Sequence, residues 1–201
     1  MRKCGSITLI IFAVLTSQVL TFCKDKGGDM SLGDRKILMI IAPDQFRDEE
    51  LFEPKKAFEE KGAKVVVAST TTEKVDGMQG GSFEPALLLN DVKVDDYDAV
   101  IFVGGVGAKK LFDDAKAQEI AKRAFEKKKV LAAICLASAI LANAGVLKGK
   151  KATGFNITKE YVHKGGGVFT NEPVTVDGLI ITANGPGAAK DFAEEIIKLL
   201  R

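Results

Sequence analysis

From residue 36 onward, short apolar runs alternate with segments in which apolar and charged residues mix. The apolar run at residues 36–42 (KILMIIA) predicts a buried strand, and residues 63–70 (AKVVVAST) predict another. Between them, residues 48–62 predict an amphipathic helix that ends at Gly62. Strand, helix and strand with short connections predict a parallel crossover.

The same alternation continues to the end of the chain. An Asp177-Gly178 pair between runs rich in β-branched residues predicts a hairpin that turns at these two residues. The pattern therefore predicts an α/β domain built on an open, mostly parallel sheet with helices on both faces. The other predicted strands lie at 85–92, 97–105, 129–134 and near 150–153, and the other helices at about 109–128, 136–145, 157–164 and from 188.

The N-terminal segment has a different pattern, typical of an export signal. Arg2 and Lys3 precede a short apolar run, which is too short to cross a bilayer as a helix. Residues 19–23 (VLTFC) resemble a bacterial lipoprotein cleavage site, which makes Cys23 a candidate for lipidation; an ordinary cleaved signal peptide is the alternative. We expect a signal peptide at 1–22, a flexible tether at 23–35 and a folded domain at 36–201, in a protein that is periplasmic or anchored to a membrane by lipid.

Composition narrows the choice of partners. The chain of 201 residues has 29 Lys and Arg against 27 Asp and Glu, and removal of residues 1–22 would leave the two signs equal. Such a balance argues against nucleic acid as a partner. Cys135 is the one cysteine of the predicted domain, so no disulfide can form within that domain. A single histidine and a single domain cysteine form no recognisable metal cluster, and we expect neither a metal nor an organic cofactor.

Cys135 is the first candidate for chemistry, because it lies between a predicted strand and a predicted helix. A thiol at a helix N-terminus is close to unpaired N–H groups, which favour the thiolate. The competing interpretation is a small apolar residue of the core. The PDQFRDEE loop at residues 43–50 and the GGVG loop at residues 104–107 also follow predicted strands, where ligands bind in such sheets.

Four sequence pieces occur in an order that resembles the ThiJ/PfpI (DJ-1/PfpI) superfamily, in its DJ-1-like branch. They extend over nearly all of residues 36–201. The resemblance implies a flavodoxin-like three-layer sandwich that commonly forms a homodimer. The pieces are EELFEP with FEEKGAKV, YDAVIFVGG, AAICLASAILANAGVLKGKKAT and VDGLIITANGPGAA.

The resemblance also implies site residues. Cys135 corresponds to the elbow cysteine and Glu50 to its partner carboxylate, which would be pushed toward its protonated form and could donate a hydrogen bond to the sulfur. Gly104 and Gly105 would line the pocket, with N–H groups that could hold an oxyanion. Without the resemblance, Glu50 would be interpreted as a solvated acid near a helix N-terminus.

Three further positions concern a histidine. Leu136 occupies the place directly after the elbow cysteine, where PfpI-type proteases have a histidine. Phe155 occupies a place where DJ-1-type glyoxalase or deglycase members often have one. The histidine of this chain, His163, is predicted near the end of a short helix, in a capping role.

Two hypotheses for function follow. In the first, Cys135 attacks a reactive carbonyl such as methylglyoxal or a glycation adduct, and Glu50 transfers protons. In the second, Cys135 oxidises to a sulfinate in a redox-responsive or protective stress protein without turnover. Peptidase or amidase activity is a third possibility, which requires His163 within hydrogen-bond reach of Cys135.

Overall fold

The computed structural model describes residues 31–201. The predicted signal peptide and Cys23 lie outside the described residues. Within residues 31–201, no helix is both long enough and apolar enough to cross a membrane.

The domain is organised around one central sheet of seven strands, in the order β10-β11-β7-β6-β1-β2-β5. All neighbours in this sheet are parallel except β10 and β11, which form an antiparallel hairpin. Two smaller sheets, β3-β4 and β8-β9, lie outside it. The strands are β1 (Lys36–Ile40), β2 (Lys64–Ser69), β3 (Val75–Asp76), β4 (Ser82–Phe83), β5 (Leu87–Leu88), β6 (Ala99–Phe102), β7 (Val130–Ile134), β8 (Lys151–Ala152), β9 (Val168–Phe169), β10 (Val174–Asp177) and β11 (Ile180–Ala183).

Helices complete a three-layer sandwich. The central strands β6, β7 and β11 are buried along their whole length, as their continuous apolar sequences require. Helix α1 packs against α5, and α2 packs against α3. The predicted α/β fold with helices on both faces and a C-terminal hairpin is confirmed. The helices are α1 (Asp48–Glu60), α2 (Ala115–Glu126), α3 (Ser138–Asn143), α4 (Lys159–Lys164) and α5 (Ala189–Leu199).

Some predicted helices and strands are shorter in the structure. The helix predicted at 109–128 is divided into a 3₁₀ segment, Val106–Leu111, and α2, whose N-cap Asp114 accepts a 2.8 Å bond from the N–H of Ala117. The strand predicted at 85–92 is reduced to β5, because a 3₁₀ turn follows it at Leu89–Asp91.

The C-terminal hairpin turns one residue later than predicted. Asp177 pairs with Ile180, so the two loop residues are Gly178 and Leu179. Gly178 has a φ of +64°, which a two-residue hairpin loop needs at its first position. Asp177 remains in the strand, and its carboxylate accepts a 2.9 Å bond from the N–H of Lys151.

Residues 31–35, placed by the sequence analysis in the tether, pack against the domain. Leu32 is buried, and its N–H donates a 2.7 Å bond to the carbonyl of Lys61. The Arg35 guanidinium donates a 2.8 Å bond to the carbonyl of Leu200. These contacts lie at the end of the sheet where the parallel strands begin.

Candidate active site

Cys135 lies at a sharp elbow directly after β7. Its φ of +60° is in the left-handed region, and a 3₁₀ turn over Cys135–Ala137 leads into α3. The N–H of Phe155 donates a 3.1 Å bond to the carbonyl of Cys135. For a non-glycine residue this conformation costs about 1–2 kcal/mol of conformational free energy. The surrounding contacts must therefore stabilise the strained backbone that positions the thiol.

Glu50 lies in the first turn of α1, and its side chain is fully buried. Its Oε2 accepts a 3.0 Å bond from the N–H of Gly104. The carboxyl also interacts with the thiol of Cys135, whereas Oε1 has no nitrogen or oxygen partner among the described residues. The predicted pair of Glu50 and Cys135 is therefore brought together.

Gly104 is the point where these groups converge. A Cβ at this position would lie 2.7 Å from the Cβ of Cys135 and 2.7 Å from the carbonyl oxygen of Ile134, and closer still to Oε2 of Glu50. No side chain fits there. Because the N–H of Gly104 is bonded to Glu50, it is not available to a substrate oxygen, in contrast to the oxyanion role expected for it.

The N–H groups of Gly105 and Leu136 donate hydrogen bonds to the sulfur of Cys135. Gly105 has a φ of +103°, and a Cβ there would lie 2.5 Å from the backbone nitrogen of Arg47. The position therefore requires glycine both for its conformation and for its close approach to the loop before α1.

The electrostatics of the pair favour a neutral thiol. Burial raises the pKa of Glu50 from its ordinary 4.5 to about 7, against the hydrogen bonds from Cys135 and Gly104. Burial, followed by the charge of Glu50, raises the pKa of the Cys135 thiol to about 12, although the N–H groups of Leu136 and Gly105 act in the opposite direction. The N–H groups at the helix N-terminus favour the thiolate, as expected, but burial and the charge of Glu50 have the larger effect on the pKa of Cys135.

A cleft of about 250 Å³ opens above the thiol at the carboxyl ends of the strands. Cys135 itself is 8% exposed, so its sulfur forms part of the floor. Most of the other lining side chains are apolar. The lining residues are Arg47, Met78, Gly105, Val106, Cys135, Leu136, Phe155 and Pro186.

Arg47 is a site residue that the sequence analysis did not single out, although its loop was recognised. It contributes the one cationic side chain of the cleft lining. Its Nε and Nη2 donate bonds of 2.8 and 3.1 Å to the two carboxylate oxygens of Glu49. The charge of Arg47 is therefore already paired.

Met78 is a second site residue that the sequence analysis did not single out. The buried carboxylate of Asp48 holds the loop that contains it. Asp48 accepts a 2.8 Å bond from the N–H of Gln79 and a 2.7 Å bond from the N–H of Gly81. The loop is thereby fixed over the cleft, where the sulfur of Met78 accepts a 3.3 Å bond from the N–H of Val106. No sequence signal pairs Asp48 with a loop about 30 positions further along the chain.

His163 is exposed in the last turn of α4, and it does not line the cleft. Its carbonyl accepts a 3.0 Å bond from the N–H of Gly166. Leu136 and Phe155 both line the cleft beside Cys135. Among residues 31–201, no group of His, Cys, Asp and Glu could hold a metal ion.

The fold and site define a flavodoxin-like α/β protein with a cysteine at a strand-to-helix elbow. Residues 35–199 match the DJ-1/PfpI family, and the chain belongs to that family. Protein MJ0967 of Methanocaldococcus jannaschii is 41% identical over 198 residues, which cover 97% of this chain and 96% of that protein.

Two further relatives agree with this assignment. Deglycase PYRAB04690 of Pyrococcus abyssi is 33% identical over 164 residues, which cover 82% of this chain and 99% of that protein. The crystal structure of a ThiJ/PfpI domain protein from Brachyspira murdochii matches with a TM-score of 0.81 and 38% identity, covering 84% of this chain and 97% of that one.

Proposed function

We propose that the protein is a cysteine-dependent enzyme of the glyoxalase or deglycase type, acting on reactive carbonyls. The observation that carries the proposal is the placement of the Glu50 carboxyl against the Cys135 thiol, at the floor of an open cleft. A carboxyl with a pKa of about 7 both takes and returns a proton near neutral pH. The relative named a deglycase supports the same class of reaction.

The first step uses the pair directly. As the sulfur of Cys135 bonds to the aldehyde carbon of methylglyoxal, its proton passes to the carboxylate of Glu50. The carbonyl oxygen then takes that proton, which gives a hemithioacetal and restores the carboxylate. A neutral resting thiol is sufficient, because the base that activates it is in contact with it.

The remaining steps need no oxidant or reductant. Glu50 removes the proton from the former aldehyde carbon and returns a proton to the neighbouring carbon. The hydroxyl proton on the first carbon passes to the oxygen on the second, so that the hemithioacetal becomes a lactoyl thioester. Water then cleaves the thioester, releasing lactate and regenerating the thiol. The N–H groups of Gly105 and Leu136, which bond to the sulfur, are placed to stabilise negative charge beside it.

The test follows methylglyoxal loss and lactate formation with the full chain and with Cys135→Ala. We expect the unmodified chain to turn over many equivalents and Cys135→Ala to match the buffer. Thermal unfolding of both proteins, followed by circular dichroism, controls for a folding defect. If the unmodified chain is folded and does not exceed the buffer, the proposal fails.

A redox-responsive protein without turnover is the second candidate, and the place of Cys135 in the lining of an open cleft is the observation in its favour. Oxidation to a sulfinate proceeds through the thiolate, which the raised pKa of Cys135 disfavours. This candidate predicts that peroxide adds oxygen to Cys135 in proportion to the protein, with no consumption of carbonyl. Peptidase activity has less support, since His163 is not in the cleft.

A further inference from the structure

The walls of the cleft above Cys135 are apolar side chains that the fold leaves uncovered. Met78 is 37% exposed, Val106 44% and Phe155 47%, and all three line the cleft. Apolar surface of this kind gains free energy when a ligand removes it from water. The reaction proposed above requires only the thiol, the carboxyl and nearby N–H groups, so it does not account for this wall.

The charges around the cleft point to a neutral ligand. Arg47 is the one cation in the lining, and both carboxylate oxygens of Glu49 already accept its hydrogen bonds. An anionic substituent would have to compete with Glu49 for the guanidinium. Beneath the floor, Glu50 repels a second negative charge when it is ionised.

The volume of the cleft indicates how large the ligand is. A volume of about 250 Å³ approaches the lower end of small-ligand pockets. It exceeds what a three-carbon aldehyde needs. A substrate that fills the cleft carries its reactive carbonyl at the thiol and a larger group against Met78 and Phe155.

We infer that the cleft selects neutral 2-oxoaldehydes with a bulky apolar or aryl substituent, and that Phe155 is a specificity-determining residue. This inference rests on the proposed carbonyl chemistry at Cys135. Phe155 contributes a large, 47% exposed aromatic side chain to the lining of the cleft. The 3.1 Å bond from the N–H of Phe155 to the carbonyl of Cys135 keeps the backbone of Phe155 next to the elbow.

The test compares kcat/KM for phenylglyoxal and methylglyoxal, from initial rates, in the full chain and in Phe155→Ala. We expect the phenylglyoxal to methylglyoxal ratio to fall roughly tenfold in Phe155→Ala, because the aryl group loses its buried contact. The value for methylglyoxal should fall by a smaller factor, because its methyl group covers less of the ring. Phe155→Leu, which restores an apolar wall, should recover most of the ratio.

Ile157→Ala is the matched control, because Ile157 is also 47% exposed and does not line the cleft. This variant should leave the ratio unchanged. A ratio that is the same in Phe155→Ala as in the unmodified chain, or a parallel loss for both aldehydes, overturns the inference and leaves the proposed function standing.

A second measurement separates the two proposals when no aldehyde is turned over. Alkylation of Cys135 by N-phenylmaleimide and by N-methylmaleimide is followed by mass spectrometry of the peptide that contains Cys135. A faster reaction with the aryl reagent that disappears in Phe155→Ala supports apolar selection at this thiol, even if the carbonyl reaction has failed. Equal dependence of both reagents on Phe155 overturns it.

Discussion

The N–H of Gly104 donates a 3.0 Å hydrogen bond to the carboxyl of Glu50, and this contact fixes the acid beneath the thiol of Cys135. The bond joins the end of β6 to the first turn of α1, two elements that are far apart in the sequence. The donor is a backbone N–H, and the residue that carries it has no room for a Cβ atom. The geometry of the reactive pair therefore depends on the absence of a side chain at one position.

Gly104→Ala should strongly reduce activity. The added Cβ would overlap Glu50, Cys135 and the carbonyl oxygen of Ile134. We expect a loss of roughly a hundredfold in kcat/KM from misplacement of the pair and a loss of about 1–3 kcal/mol in the free energy of unfolding. Steady-state kinetics and urea unfolding measure the two effects. Gly187→Ala is the control, since a Cβ there meets no atom within 4 Å; equal activity in the two variants would contradict the prediction.

Glu50→Gln should increase stability at pH values above neutrality. Between the ordinary pKa of 4.5 and about 7, the unfolded carboxyl has lost its proton while the folded carboxyl keeps it. Raising the pH through this interval therefore lowers the free energy of unfolding of the unmodified chain, by about 3 kcal/mol in total. The glutamine variant lacks this loss, so its stability relative to the unmodified chain should rise between about pH 5 and about pH 8.

Urea unfolding at these two pH values tests this prediction. Glu53→Gln, a half-buried position on the same helix, controls for the loss of a negative charge from α1. A stability difference between Glu50→Gln and the unmodified chain that does not change with pH would show that the carboxyl is not buried as described.

The pH dependence of turnover should reflect the same carboxyl. Because the carboxylate of Glu50 accepts the thiol proton, kcat/KM should rise as the pH passes through about 7 and then level off. The rate of methylglyoxal loss from about pH 5 to about pH 9 measures the profile. His163→Gln should leave it unchanged, since His163 lies outside the cleft. A rate that declines across the same interval would mean that the protonated acid is the required form.

Asp48→Ala should loosen the loop that carries Met78. The substitution leaves the N–H groups of Gln79 and Gly81 without their acceptor, which should lower the free energy of unfolding by about 2–4 kcal/mol. It should also raise KM for an apolar aldehyde more than it lowers kcat, because Met78 contributes binding surface and no proton transfer. Thermal unfolding and steady-state kinetics supply the readouts. Glu60→Ala, on the exposed end of the same helix, should change neither, and equal behaviour of the two variants would contradict this role of Asp48.

The sequence pattern predicts the fold well because the strands around Ile37, Val100 and Leu131 are apolar along their length and their connections are short. Glu50 and Cys135 could be paired only through the family resemblance, because nothing local joins α1 to the end of β7. The effect of the N–H groups on the pKa of Cys135 has the expected sign, but it is smaller than the effect of burial. A helix N-terminus is visible in a sequence, whereas the burial that outweighs it arises from tertiary packing.

The positions of Met78 and of β8 also depend on tertiary contacts that the sequence pattern does not reveal. The loop of Met78 is positioned by Asp48 from a distant part of the chain. Strand β8 was predicted as one more strand near residues 150–153, yet it pairs with β9 outside the main sheet. The N–H of Lys151 donates a hydrogen bond to the side-chain carboxylate of Asp177, which holds β8 beside the edge strand β10. The pattern of apolar residues does not predict this contact.

Residues 31–35 pack against one pole of the domain. Leu32 and Arg35 are attached beside Lys61 and Leu200, at the pole where the parallel strands start. Cys135 and its cleft lie at the opposite pole, where those strands finish. The chain therefore enters the domain at the pole opposite to the cleft, which leaves the approach to Cys135 clear of residues 31–35.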